Sequence, residues 1–120
     1  MKAEQLRIGN LVNEGVVTEL RQNSARVKYN LKGEVAQSLV FYDYLEPIPI
    51  TEEWLVKFGF ELNDRAILGV SYKIKGAALE VIKFDVDDYY TVYFKDVEMV
   101  KIRYVHQLQN LIFSVLGQEL

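Results

Sequence analysis

The stretch Pro47-Ile-Pro-Ile-Thr-Glu-Glu-Trp-Leu-Val-Lys-Phe-Gly-Phe60 marks the point where a strand-rich first half ends and a second unit begins. Proline lacks a backbone N–H and pushes the residue before it toward an extended conformation, so the prolines predict an extended connector or an edge strand. Thr51 stands at an N-cap position, and Glu52 and Glu53 follow where carboxylates meet the positive end of a helix dipole. Gly59 is suited to a left-handed helix end. The stretch therefore predicts a short capped helix.

That short helix carries an apolar face. Trp54, Leu55 and Phe58 recur at helical spacing, and Phe60 follows the glycine that ends the helix. We expect these four side chains to enter a core that both halves of the chain share.

Short strands with two-residue alternation fill the sequence before the connector. Between residues 25 and 29, Ala25, Val27 and Tyr29 share one face while Arg26 and Lys28 share the other, which is typical of a half-buried strand. Residues 6–12, 16–20 and 35–41 have similar patterns, with a turn at 30–33. About four or five short strands in so short a segment predict a small SH3-like β-barrel over residues 1–48.

After the first helix the sequence returns to alternation. Candidate strands begin near Val70, Leu79, Tyr89 and Glu98, with a hairpin turn near Asp96. A helix over 105–116 follows, and Gly117 stands at its C-cap. The predicted fold class is therefore α+β. An SH3-like unit, 1–48, precedes a helix, a four-stranded antiparallel sheet and a helix, 49–120, packed on it through a shared core. The pattern leaves open whether these form two domains or one.

Composition excludes several classes of protein. Half of the 120 residues are hydrophobic and 26% are charged, which is typical of a folded chain without a membrane-spanning run. There is no cysteine, so disulfides, thiolate zinc sites and cysteine nucleophiles are ruled out. The start has no apolar run resembling a signal peptide, which favours the cytoplasm. The net charge of −3 argues against duplex DNA as a partner, and we expect no cofactor.

Three sequence blocks resemble a known family. They are Leu6-Arg-Ile-Gly-Asn10, the stretch 47–60 quoted above, and Tyr104-Val-His-Gln-Leu-Gln-Asn-Leu111. Together they resemble a family of small uncharacterised proteins from phages, prophages and mobile elements of gut-type bacteria, in which LRIGN, PIPLTEEWL–FGF and YVHQLQNL blocks recur in this order. The resemblance implies a phage or mobile-element origin. It implies no activity.

The second helix carries the most distinctive polar residues. His106, Gln109 and Asn110 form a polar flank beside its apolar face, which could bind a peptide or a base edge. The competing interpretation is that they hydrogen-bond within the protein, as buried polar groups usually do. Because His106 is the only histidine, a triad would have to use it, and a zinc site would need three further ligands from carboxylates. We expect neither. The acids at 85, 87 and 88 are explained by turn chemistry, and we expect neither a metal site nor catalysis.

Tyrosines form a second candidate site. Tyr42, Tyr44, Tyr89 and Tyr90 lie near predicted strand ends, where aromatic rings could form an exposed recognition surface. Ordinary packing in sheets also explains them. We expect a non-catalytic protein-binding or assembly module that binds another protein or a second copy of itself. The alternative is a nucleic-acid-binding accessory protein that uses an aromatic and basic barrel face, with cations from Arg26, Lys28 and Lys32.

Overall fold

The computed structural model describes residues 1–13, 15–66, 68–74 and 76–117, with the exception of the Ala66 side chain. It divides into two compact units, residues 1–49 with 104–120, and residues 50–103. The sequence had grouped the C-terminal helix with 49–120, whereas its contacts place it with the first unit. That the two units share a core stays a prediction.

The described part is mostly β. Strands hold 49% of its residues and helices 21%. In chain order the elements are β1 (Leu11–Val12), β2 (Gly15–Leu20), β3 (Ser24–Leu31), β4 (Glu34–Phe41), α1 (Glu52–Lys57), β5 (Phe60–Ala66), β6 (Gly69–Ile74), β7 (Leu79–Phe84), β8 (Tyr90–Phe94), β9 (Val97–Ile102) and α2 (Val105–Leu116), with single 3-10 turns at Ala3–Gln5 and Tyr42–Tyr44.

The first unit contains an antiparallel sheet in the order β1-β2-β3-β4. Ala25 and Val27 of β3 lie opposite Val40 and Ser38 of β4, and opposite residues point to the same face. The β3–β4 turn has positive φ at both Lys32 and Gly33, as a two-residue type I′ turn requires. The core on this face consists of Leu6, Val12, Val17, Ala25, Val27, Tyr42 and Leu45.

The predicted SH3-like barrel is wrong, because this sheet is open. Closure needs the last strand to bond to the first, and β4 and β1 are instead the two edges of the sheet. β1 has only two residues. The backbone N–H of Leu11 in β1 donates to the Gln109 side-chain oxygen of α2, 2.8 Å away. A side chain from a helix therefore occupies a position where a barrel would need a strand.

The second unit contains α1 and an antiparallel sheet in the order β5-β6-β7-β8-β9. The predicted four-stranded sheet is thus wrong by one strand, since β5 pairs with β6. Its run Glu61-Leu-Asn-Asp-Arg65 is too polar to have signalled a strand. The predicted hairpin turn near Asp96 is confirmed, with positive φ at Lys95 and Asp96.

Both predicted helices are confirmed. Thr51 caps α1 and its side chain accepts a hydrogen bond from the Trp54 N–H. Gly59 follows with φ of 93°, and Gly117 ends α2 in the left-handed conformation. The expectation for the apolar face of α1 holds only in part. Leu55 and Phe60 are buried, while Trp54 and Phe58 are half-buried.

Adjacent residues of α1 allow a test of this burial pattern. Leu55 is completely buried and Val56 is 59% exposed. We expect Leu55→Ala to lower the free energy of unfolding by about 2–5 kcal/mol, because it removes buried methyl groups and leaves a cavity. Val56→Ala should change it by no more than about 0.5 kcal/mol. Urea unfolding monitored by Trp54 fluorescence measures both, and equal effects would contradict the orientation of α1.

Candidate functional site

The predicted polar flank of α2 is engaged within the first unit. Besides accepting the Leu11 N–H, Gln109 donates its side-chain N–H to the Gly9 carbonyl at 3.4 Å. Asn110 donates to the Gln5 carbonyl at 3.1 Å. Gln109 is 2% exposed. The amides of Gln109 and Asn110 therefore hold the N-terminal segment, as the interpretation of internal hydrogen bonding predicted.

Asn10 is the polar residue of this region that the sequence analysis did not single out. It is fully buried, donates to the Asn110 side-chain oxygen at 2.7 Å and accepts the Arg7 N–H at 2.6 Å. Its only sequence signal was its place in the block Leu6–Asn10. The first and third blocks, which carry the resemblance, thus meet through these hydrogen bonds.

His106 lies on the same helix but in a different environment. It is 3% exposed, and its ring stacks on that of Tyr104 with centroids 6.0 Å apart. Its Nδ1 atom has no hydrogen-bond partner among the described residues. Burial lowers the pKa of His106, and the positive charge of the Met1 amino group lowers it further. Both effects favour the neutral form of the histidine.

The two tyrosines predicted in the first unit have different environments. Tyr42 is 8% exposed and belongs to the core, where its hydroxyl donates to the Arg21 carbonyl at 2.5 Å. Tyr44 is 72% exposed. It borders a shallow concavity of about 420 Å³ together with Gln22 and Phe41. Of this pair, only Tyr44 is available to a ligand at the surface.

Tyr89 and Tyr90 belong to the second unit. The half-buried Tyr89 ring lies near two cations, with Lys101 Nζ 5.2 Å and Arg103 Cζ 5.5 Å from its centroid. Arg103 also forms an ion pair with Asp88 at 3.1 Å. Burial raises the pKa of Tyr90, with smaller contributions from Tyr72 and Glu52. Each unit therefore holds its own subset of the predicted residues.

An exposed apolar surface of the first unit was not predicted as a site. Val35, Leu39 and Phe41 alternate along β4 and are 65%, 47% and 63% exposed. They point away from the core, because the intervening Ser38 and Val40 lie opposite the core residues Val27 and Ala25. We call Val35, Gln37, Leu39 and Phe41 the β4 stripe. The sequence signal was the alternation itself, which was interpreted as part of a barrel wall.

Charged residues lie beside the β4 stripe on β3 and β2. Leu39 is opposite Arg26, and Gln37 is opposite Lys28. Arg26 Nε is 3.0 Å from a Glu19 carboxylate oxygen, and Arg21 binds the other oxygen at 2.9 Å. Hydrogen bonds from Arg26 and Arg21 lower the pKa of Glu19. Because Arg26 is paired within its own sheet, it offers less positive charge to a phosphate backbone.

The opposite face of the β3–β4 hairpin is also partly open. Val27, Tyr29, Ser38 and Val40 line a shallow, mostly apolar concavity of about 330 Å³. Inside it the Tyr29 hydroxyl and the Ser38 hydroxyl are hydrogen-bonded at 3.1 Å. The hairpin thus carries apolar surface on both faces up to the free edge of β4.

The sheet edges of the described part differ in how they are protected from pairing with another strand. Natural edges are typically short, charged or bulged. β1 is two residues long. β5 and β9 each carry charged side chains and an irregular register with the neighbouring strand. β4 is eight residues long, pairs with β3 in unbroken register, and has no charge after Glu34. It has none of these protections.

Other classes of site receive no support from the described residues. Across residues 1–13, 15–66, 68–74 and 76–117, no group of three or more acidic or histidine side chains is arranged to hold a metal ion. In the same part of the chain, no helix has the length and apolar character that crossing a membrane requires.

The chain was compared with protein-family models, with curated proteins and with solved structures, and nothing matches in any of the three comparisons. The geometry described above is therefore the basis for assigning a function.

The burial of His106 predicts a pH dependence of stability. Because its pKa is lower in the folded chain than its ordinary value of 6.5, the unfolded chain binds more protons and stability falls as pH drops below about 6.5. His106→Gln, which cannot be protonated, should lose less stability between pH 7.5 and pH 5.5 than the wild type. Urea unfolding at both pH values tests this, and identical losses would contradict the burial of His106.

Proposed function

We propose that this protein is a non-catalytic protein-binding or assembly module of phage or mobile-element origin, and that it binds its partner through the β4 stripe. The observation that carries the proposal is an exposed apolar row on an unprotected sheet edge. Val35 and Phe41 are more than 60% exposed at its two ends. Several exposed apolar side chains grouped on one face of a sheet favour an interaction site at that face.

The backbone of β4 adds a second source of affinity. An edge strand presents unpaired N–H and C=O groups, which an incoming extended strand can satisfy. Side chains on alternate positions then supply specificity. In β4 these positions are the four residues of the stripe, so partner binding by strand addition uses both the backbone and the apolar row.

Site-specific photo-cross-linking in cells tests the proposal. We expect a photoreactive phenylalanine analogue at position 39 to give a protein adduct of discrete mass. The same analogue at Asn13, an exposed position next to β1 at the opposite edge of the sheet, should give none. Adding Val35→Lys to the chain labelled at 39 should remove the adduct, because a lysine beside the bound strand would have to lose its hydration.

Two results would contradict the proposal. One is the absence of any protein adduct at position 39. The other is an adduct that is equally strong at position 13 or unaffected by Val35→Lys, since neither would depend on the β4 stripe.

A further inference from the structure

We propose that the occupant of the β4 edge is a second copy of this chain, with the two β4 strands paired antiparallel about a two-fold axis through Ser38. This inference rests on the proposed function, because it uses the same surface, and it names the partner. The result is one continuous sheet that runs through both copies in the order β1-β2-β3-β4-β4-β3-β2-β1.

The alternation of side chains restricts the registers that are available. Directly opposite residues of an antiparallel pair point to the same face. When a two-fold axis relates two copies of one antiparallel strand, the residue at the axis must therefore lie opposite the same residue of the partner. In β4 the central candidates are Gln37, Ser38 and Leu39.

Residues 35–41 are uncharged. Only in the register centred on Ser38 does each of them lie opposite another residue of the same segment in the partner. Val35 then lies opposite the partner's Phe41, and Gln37 opposite the partner's Leu39. On the other face Ala36 lies opposite the partner's Val40. This register brings together all six apolar side chains of the two stripes.

The neighbouring registers are less favourable. Centring the axis on Gln37 would place the Glu34 carboxylate opposite the partner's Val40. Centring it on Leu39 would place Ala36 opposite the partner's Tyr42, which lies in a 3-10 turn and is buried in the core. Each of these two registers therefore loses apolar contacts or backbone hydrogen bonds between the strands that the Ser38 register keeps.

Charge also favours a second copy in this register. Between Val35 and Phe41 there is no ionisable side chain, so no like charges meet across the two-fold axis, an arrangement that would be destabilising. The other long edges do not have this property. Self-pairing of β5 or β9 would bring together side chains from strands that carry Glu61 and Asp64, or Glu98 and Lys101.

The size of the contact predicts a weak dimer. One pair of short strands and their side chains falls at the low end of specific interfaces, below about 1,200 Å². We therefore expect a reversible equilibrium between monomer and dimer, with a dissociation constant on the order of 10–100 μM. Both species should then be populated at concentrations that can be reached in solution.

Light scattering coupled to size-exclusion chromatography, at loading concentrations from about 1 μM to about 1 mM, measures this equilibrium. The mass should rise from that of one chain, 13.9 kDa, toward twice that value. Leu39→Lys should weaken the dimer by roughly tenfold or more, since two lysines would enter the pair. Met99→Lys on β9 is the matched control, because Met99 is 48% exposed and Leu39 47%, and it should leave the equilibrium unchanged.

A double variant tests the register. In Gln37→Glu with Leu39→Lys, the Ser38 register places each new glutamate opposite the partner's new lysine, and the dimer should be restored toward wild-type strength. In the Gln37 and Leu39 registers like charges would face each other at the centre, and no recovery would occur. Circular dichroism of each variant shows that the sheet is folded, so that loss of the dimer is not loss of structure.

Three outcomes would overturn the inference. They are a chain that stays monomeric at every concentration, a dimer that Leu39→Lys leaves intact, and a double variant that recovers nothing. A monomeric chain that still gives a specific adduct with a different protein at position 39 would reject the second copy while supporting the proposed function. Absence of both the dimer and the adduct would reject both.

Discussion

The hydrogen bond from the Leu11 N–H to the Gln109 side chain, 2.8 Å long, connects the edge of the first sheet at β1 to α2. It joins the first strand to the C-terminal helix, whose residues lie almost a hundred positions further along the chain. The buried Asn10 and the half-buried Asn110 extend the same connection. The Asn13 N–H, just after β1, donates to the Glu46 carbonyl at 3.0 Å. The helix side chain and the segment at Glu46 thus cover the edge at β1, and β4 is the other, open edge of the sheet.

Local chemistry made much of the fold predictable. Thr51 and Gly59 bounded the first helix, Gly117 ended the second, and alternation located β3 and β4. These signals act over a few residues. The barrel could not be tested in the same way, because alternation shows which side chains share a face but does not identify the partner at the edge of a sheet. That partner depended on Gln109, which is distant in sequence.

The candidate site was predictable only in part. Gln109 and Asn110 were identified as distinctive, and internal hydrogen bonding was one of the two interpretations offered for them. Tyr42 carried the same sequence signal as Tyr44, yet one is in the core and the other is exposed. Val35, Leu39 and Phe41 were recognised as strand residues. Alternation did not show which face of β4 is turned away from the core, so their exposure was not foreseen. The barrel prediction also gave β4 a neighbour on each side, so its free backbone edge was missed for the same reason as the barrel was wrong.

Hydrogen exchange at the Leu11 amide tests the central claim, that the Gln109 side chain closes the edge at β1. We expect this amide to exchange slowly, at a rate closer to those of β3 amides than to those of exposed loops, although β1 has only two residues. Gln109→Ala should accelerate exchange at Leu11 by roughly tenfold while leaving the Val27 amide of β3 slow. Fast exchange at Leu11 in the wild type, or no acceleration in the variant, would contradict the account.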